Sequence, residues 1–189
     1  MEIRDWGLEI RDWRLEIDNP QSPNLQSRLI RAAVPGDVAG ILALVNEYAR
    51  RGELLPRPAA SIRDTLPDWL VGVDKDGHLV ACVSLLFYTP TLAEVRSLAV
   101  DDACQGQGWG SAIMAALVAE ARRRRVPTLF ALTRAVSFFE RAGFTVTGKE
   151  QFPEKVWRDC HICPIRHHCD ETAVVLHLAG TSLPTCPTF

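Results

Sequence analysis

The sequence predicts an α/β fold of the α+β kind: a mixed, largely antiparallel sheet with helices on both faces. Three observations carry that expectation. Two strand-like apolar runs, residues 69–73 and 79–87, flank Asp76-Gly77, a dipeptide suited to a tight hairpin. A third such run, 91–100, follows directly, so strands cluster ahead of the long helical pattern. Beyond it the pattern alternates: a glycine-rich turn, an amphipathic stretch ending in arginines at 122–125, an apolar run at 128–133 and a helical segment at 135–144.

Taken in order, residues 1–28 read as a tail and linker. EIRDWGL and EIRDWRL, residues 2–15, are near-identical heptads, and Ile3, Trp6, Ile10, Trp13 and Ile17 would share one seam of a helix. Two heptads are too few for a stable isolated coil, and Pro20 and Pro23 break any helix that follows. This segment is expected to be disordered or to precede the true start. Residues 29–180 then form the domain, and 181–189 a C-terminal tail.

Within the domain, Arg31, Ala32 and Ala33 open a first strand. Asp37 is placed as the cap of a helix whose Val38, Ile41, Leu42, Val45 and Tyr48 mark one face. A short helical piece at 61–66 stops at Pro67. TLFALT, residues 128–133, suits a buried strand, and Gly143 ends the 135–144 helix from its C′ position. Residues 173–178 form the last strand. The arginines at 122–125 complement the negative end of their helix, which accounts for them without nucleic acid.

Composition narrows the function classes. The formal net charge of -2 argues against general attraction to nucleic acid. There is no apolar run long enough to span a bilayer and no basic-then-apolar leader, so a cytoplasmic location without membrane attachment is expected. Six cysteines in that setting favour free thiols or a metal site over disulfides.

The most informative stretch is the glycine-rich turn, Gln105-Gly106-Gln107-Gly108-Trp109-Gly110, between a strand and a helix. It lacks the G-x-G-x-x-G spacing of a dinucleotide fingerprint and the Lys-Ser/Thr pair of a P-loop. Two readings stand on the residues alone: an ordinary turn, or a cradle of unpaired amides at a helix N-terminus that holds phosphate. With LAV ahead of it, Q-x-x-G-x-G resembles the coenzyme A pyrophosphate loop of the GNAT N-acetyltransferases. AVSFFERAGF is similar to the helix that lies against the coenzyme in that family, and the resemblance covers roughly residues 29–178. It implies a GNAT-like sheet and acetyl-CoA as cosubstrate. It also implies coenzyme contacts from Leu98, Ala99, Val100, Gln105, Gly106, Gln107, Gly108, Trp109, Gly110 and Ser111.

LLPRP, AEVRSLAV, KVWRDC-x2-CP and CDETA further resemble the short bacterial amino-acid N-acetyltransferases akin to N-acetylglutamate synthase. That likeness implies acetylation of the α-amine of glutamate, in arginine biosynthesis. Other acceptor amines and a non-catalytic acyl-CoA sensor remain as alternatives, and a homodimer is left open. The family's bulge in the strand before the loop has a consequence here. One extra residue would flip the parity of that strand, turning Glu94 and Arg96 away from the core side shared by Leu98 and Val100 and towards the cleft. Glu94 is therefore nominated as general base, and Arg96, Arg57 and Lys155 as carboxylate ligands, with Arg158 as an alternative to Lys155. The bland reading of each is a solvated surface charge. Phe139 stands where the family often has a proton-donating tyrosine, so no general acid is assigned; water or Tyr88 could serve instead. Cys160, Cys163 and Cys169, with His161, His167 and His168, are metal-ligand types at short spacing, but only one C-x2-C pair is present. No metal is expected to be required.

Overall fold

The computed structural model describes residues 28–163 and 166–178; the heptad segment before residue 28 and the C-terminal tail lie outside them. Among the described residues, seven strands form one sheet in the order β1-β2-β3-β4-β5-β7-β6. They are β1 (Leu29–Ala32), β2 (Trp69–Val73), β3 (Leu79–Thr89), β4 (Leu92–Val100), β5 (Thr128–Thr133), β6 (Thr145–Thr147) and β7 (Thr172–His177). Only the β4–β5 pair is parallel. The crossover between those two strands is α3 (Trp109–Arg123), the helix fed by the glycine-rich turn.

Helices cover both faces. On one, α1 (Val38–Arg50) and α2 (Ala59–Asp64) pack with Trp69, Val71, Cys82 and Ala99. On the other, α3 and α4 (Val136–Arg141) pack with Val83, Leu85, Val95 and Leu129. A smaller cluster of Phe130, Phe152, Ala173 and Val175 sits beneath α5 (Pro153–Arg158), with the Phe130 and Phe152 rings stacked at 4.1 Å. The sheet needs a close approach at Gly72, where an added Cβ would meet the Trp109 ring at 3.0 Å and Ala81 Cβ at 3.1 Å. No helix among the described residues is long and apolar enough to cross a membrane.

Two local expectations are corrected, and two short elements are added. Asp37 does not cap α1; its carboxylate accepts from the Val34 amide at 2.7 Å and from the Arg31 guanidinium at 2.6 and 2.9 Å. The 3₁₀ turn Pro35–Asp37 intervenes, and Asp37 closes it by reaching back. Helix α2 begins at Ala59, just after the extended Pro58, and Pro67 lies inside a separate 3₁₀ turn, Leu66–Asp68. Strand β6 and helix α5 were not anticipated, being too short to show a period.

The bulge in β4 is present and can be located. Ser84 stands opposite Arg96, yet Cys82 stands opposite Ala99, so residues 97 and 98 together face Val83. Ser97 accommodates the extra residue in a left-handed conformation, φ 51°, which costs a non-glycine residue about 1–3 kcal/mol. Before the bulge Ala93 and Val95 face α3; after it Leu98 and Val100 do. Glu94 and Arg96 thereby share the opposite face with Ala99.

A β-branched side chain tolerates that conformation worst. Ser97→Val is expected to lower unfolding stability by about 1–3 kcal/mol in a denaturant titration, and Ser97→Gly to leave it unchanged or raised. Equal midpoints for the valine and glycine variants would contradict a left-handed residue at this position.

Candidate active site

Strands β4 and β5 pair only at Leu92↔Thr128, Ala93↔Leu129 and Glu94↔Phe130. Beyond that point β4 stays with β3 and β5 with β7, so the two part company. The wedge between them holds a cleft of about 790 Å³, walled by residues 94–100 on one side and 132–135 on the other. One end of the cleft is the glycine-rich loop. The other is a cluster of buried charges around Glu94.

At the loop, Gly106 (φ 71°) and Gly108 (φ 89°) adopt left-handed conformations suited to glycine. The Gln105 amide donates to Asp102 O at 3.3 Å and the Ala112 amide to Gly108 O at 3.0 Å. Between these two, the amides of residues 106–111 find no acceptor among the described residues. They stand at the N-terminus of a 15-residue helix, where its dipole is positive. This array suits a diphosphate. Side chains of the loop mostly serve the protein. Trp109 is buried against Gly72, and Gln107 Nε2 donates to Ala103 O at 2.9 Å. A Cβ at Gly110 would meet Phe138 at 3.2 Å, and Ser111 lines the cleft.

Gln105 is the informative case. Its Nε2 donates to the Tyr48 hydroxyl at 2.6 Å and to Asp102 Oδ1 at 3.0 Å, and Tyr48 in turn donates to Val100 O. Burial raises the Tyr48 phenol above its ordinary pKa and so keeps it a donor. Helix α1 thus ties the end of β4 to the start of the loop. Gln105 fixes the backbone that faces the cleft, while Leu98, Ala99 and Val100 offer it their unpaired strand edge.

At the other end, Glu94 is 4% exposed. Lys155 Nζ, from α5, lies 2.8 Å from Glu94 Oε1; the Tyr88 hydroxyl donates to Oε2 at 2.9 Å; Arg96 Nε is 3.7 Å from Oε2. Asp159, at the end of α5, shares all three partners: Lys155 at 2.9 Å, Arg96 Nη1 at 3.3 Å and Tyr88 at 3.3 Å. Burial works against the Asp159 carboxylate, but the Lys155 hydrogen bond and Arg96 outweigh it and hold its pKa below the ordinary range. Burial, with the two carboxylates, pushes Tyr88 well above the usual phenol value. Arg158 stacks over the Tyr88 ring at 5.4 Å rather than reaching Glu94.

Arg57 also lines the cleft. Asn46 of α1 grips its backbone from both sides, accepting from the Arg57 amide at 3.0 Å and donating to its carbonyl at 3.2 Å. Its guanidinium has no carboxylate within ion-pair distance among the described residues. Burial first, then repulsion from Arg96, brings its pKa down to about 10, so it remains charged near neutrality.

The nominated residues Glu94, Arg96, Arg57 and Lys155 therefore meet in one cleft with the loop. Two expectations change. Arg96 and Lys155 are engaged by carboxylates of the protein itself, and Gln105 lines the cleft with its side-chain amide already engaged by Tyr48 and Asp102. Asp159 was missed, although Lys155-x3-Asp159 is an i, i+4 spacing on one helical face. Tyr88 enters as the hydrogen-bond partner of Glu94. It is the extra residue of a second irregularity, between Phe87 and Thr89 at the β3–β4 turn. Phe139 is buried edge-on to Phe138 and Phe144, within the core. Cys160, Cys163 and Cys169 line the cleft mouth, with Lys149 Nζ 3.2 Å from Cys169 Sγ. Among the described residues, the set of three metal-ligand types gathered within 4.8 Å is Asp74, Asp76 and His78. These close the β2–β3 turn, where Asp74 Oδ1 accepts the Asp76 and His78 amides.

Comparison with known proteins agrees with this geometry. Residues 38–144 match the model of the acetyltransferase (GNAT) family. The chain belongs to that family. It is 37% identical over 146 residues to an uncharacterized N-acetyltransferase of Chlorobaculum tepidum, covering 77% of this chain and 94% of that one. Against an amino-acid acetyltransferase of Mycobacterium tuberculosis the identity is 34% over 119 residues, 62% of this chain and 68% of the relative. Among solved structures, N-acetylglutamate synthase from Neisseria gonorrhoeae, complexed with coenzyme A and N-acetyl-glutamate, superposes with a TM-score of 0.71 at 26% identity. That match covers 80% of this chain but 35% of the synthase. A Mycobacterium tuberculosis protein in complex with CoA gives a TM-score of 0.69 at 28% identity, over 79% of this chain and 99% of that one. The protein is an acetyltransferase that uses acetyl-CoA, and the 106–111 amides are the group of residues here that fits a CoA diphosphate.

Tyr48→Phe removes the hydroxyl that joins Val100 to Gln105. It is expected to weaken CoA binding about tenfold in a calorimetric titration and to destabilise the fold by about 1–3 kcal/mol. Unchanged CoA affinity would show that the loop keeps its shape without α1.

Proposed function

We propose that this acetyltransferase transfers the acetyl group of acetyl-CoA to the α-amine of an amino acid, L-glutamate above others. The observation that carries this reading is Glu94, buried among Arg57, Arg96, Lys155 and Tyr88 in the same cleft as the diphosphate loop. The amino-acid acetyltransferases among its relatives support the acceptor class. A place in arginine biosynthesis and a cytoplasmic location belong to the same proposal.

The chemistry asks three things of the chain. The amine must be free of its extra proton, the acetyl carbonyl must be held beside it, and the proton released on C–N bond formation must be taken up. Glu94 is the acceptor of that proton, directly or through one water. The parted edge of β4 beyond Glu94 offers strand amides to a carbonyl oxygen. As the C–S bond breaks the sulfur leaves as thiolate, and with Phe139 in the core its protonation falls to solvent. Arg57 receives the acceptor's α-carboxylate, since it is charged, lines the cleft and has its backbone fixed by Asn46.

Glu94→Gln is expected to lower turnover by roughly a hundredfold or more at neutral pH, with CoA affinity little changed. Retained turnover would remove Glu94 from its role. Arg57→Ala should act differently, raising the KM for the amino acid while sparing the KM for acetyl-CoA. A thiol-release assay over a panel of amino acids and other amines tests the acceptor class, and preference for a non-amino-acid amine would overturn it.

A further inference from the structure

The two cations nearest Glu94 are not free to receive an acceptor's carboxylate. Lys155 and Arg96 are each already held by Glu94 and by Asp159, so two cations and two carboxylates balance within the protein. Arg57, in the same cleft, has no carboxylate within ion-pair distance among the described residues. The contacts Asp159 makes, 2.9 Å to an ammonium, 3.3 Å to a guanidinium and 3.3 Å to a hydroxyl, are the ones an incoming carboxylate would want.

The two internal carboxylates are not equally fixed. Glu94 lies within a strand with its side chain 5% exposed, whereas Asp159 terminates α5 with its side chain 18% exposed. Asp159 also sits in an irregular backbone conformation, φ -120° and ψ -43°, outside the regular turns of the helix. A carboxylate on such an end can turn towards water and recover hydration, which offsets part of what it loses by leaving Lys155 and Arg96. Glu94 has no comparable route.

We infer that Asp159 is a specificity-determining residue, an internal competitor for the place of the acceptor's second carboxylate. A monocarboxylic amino acid docks on Arg57 and leaves Asp159 where it is. A dicarboxylic one reaches Lys155 and Arg96 with its second carboxylate by displacing Asp159 from them. The preference for acidic over neutral side chains is therefore set by Asp159 as much as by the cations. The inference rests on the reading of the cleft as an amino-acid site.

Steady-state kinetics with L-glutamate and L-glutamine, whose side chains match in shape and differ in charge, test it. Asp159→Asn keeps the size and polarity of the residue and removes its charge. The variant is expected to lower the KM for glutamate roughly five- to tenfold, a shift in keeping with one partly exposed charge pair. The KM values for glutamine and for acetyl-CoA should stay within about twofold. Calorimetric binding of N-acetylglutamate to the CoA-loaded protein gives a readout independent of turnover and should tighten in parallel, with Asp159→Ser as a second variant. A glutamate KM that is unchanged or raised, or one that moves together with that of glutamine, would overturn the inference and leave Asp159 as a brace for Lys155. Should the wild-type protein acetylate neither amino acid yet acetylate another amine, the acceptor reading itself falls, and this inference with it.

Discussion

Strand β4 has to serve two masters, since its apolar side chains must pack under α3 while its charged ones must reach a cleft on the other side of the sheet. A strand of strict period two would place Glu94, Arg96, Leu98 and Val100 on one face and meet only one demand. Two residues opposite Val83 resolve the conflict, with Ser97 in a left-handed conformation to absorb the extra length. The same strand loses its pairing with β5 just past Glu94, so the place where Glu94 emerges is also the place where the sheet opens.

Much of the remaining architecture supports that junction. Tyr48 ties α1 to the last residue of β4 and to Gln105, so the loop's amides are presented from a fixed starting point. Asn46, two residues earlier on the same helix, holds Arg57 in place across the cleft. One helix thereby positions the glycine-rich loop and Arg57 together. Beneath the charges, Phe130 and Phe152 stack and carry α5, which delivers Lys155 and Asp159. Burying five polar groups near one another is tolerable because each carboxylate meets a cation or a hydroxyl donor.

The strands, the long helix and the loop were legible because their signals are local: period, an Asp-Gly turn, glycines before a helix. The β4 bulge was legible only through family resemblance, as nothing about Ser97 as a residue type marks it. Asp159 and the Tyr88–Glu94 bond were not legible. Both depend on register, one at an irregular hairpin turn and the other at the end of a six-residue helix with no visible period. The cations illustrate a different limit. Sequence can nominate Arg57, Arg96 and Lys155 as cations near one site, but which of them the protein already neutralises is a matter of distances.

The central claim is that one wedge between β4 and β5 holds the diphosphate at one end and aims the sulfur at Glu94. A crystal structure with bound CoA tests this most directly. Diphosphate oxygens are expected about 3 Å from amides of residues 106–111. The sulfur is expected in the wedge beyond the Glu94↔Phe130 pair, on the side where Glu94 and Arg96 emerge. A diphosphate seated elsewhere, or a sulfur directed away from Glu94, would contradict it.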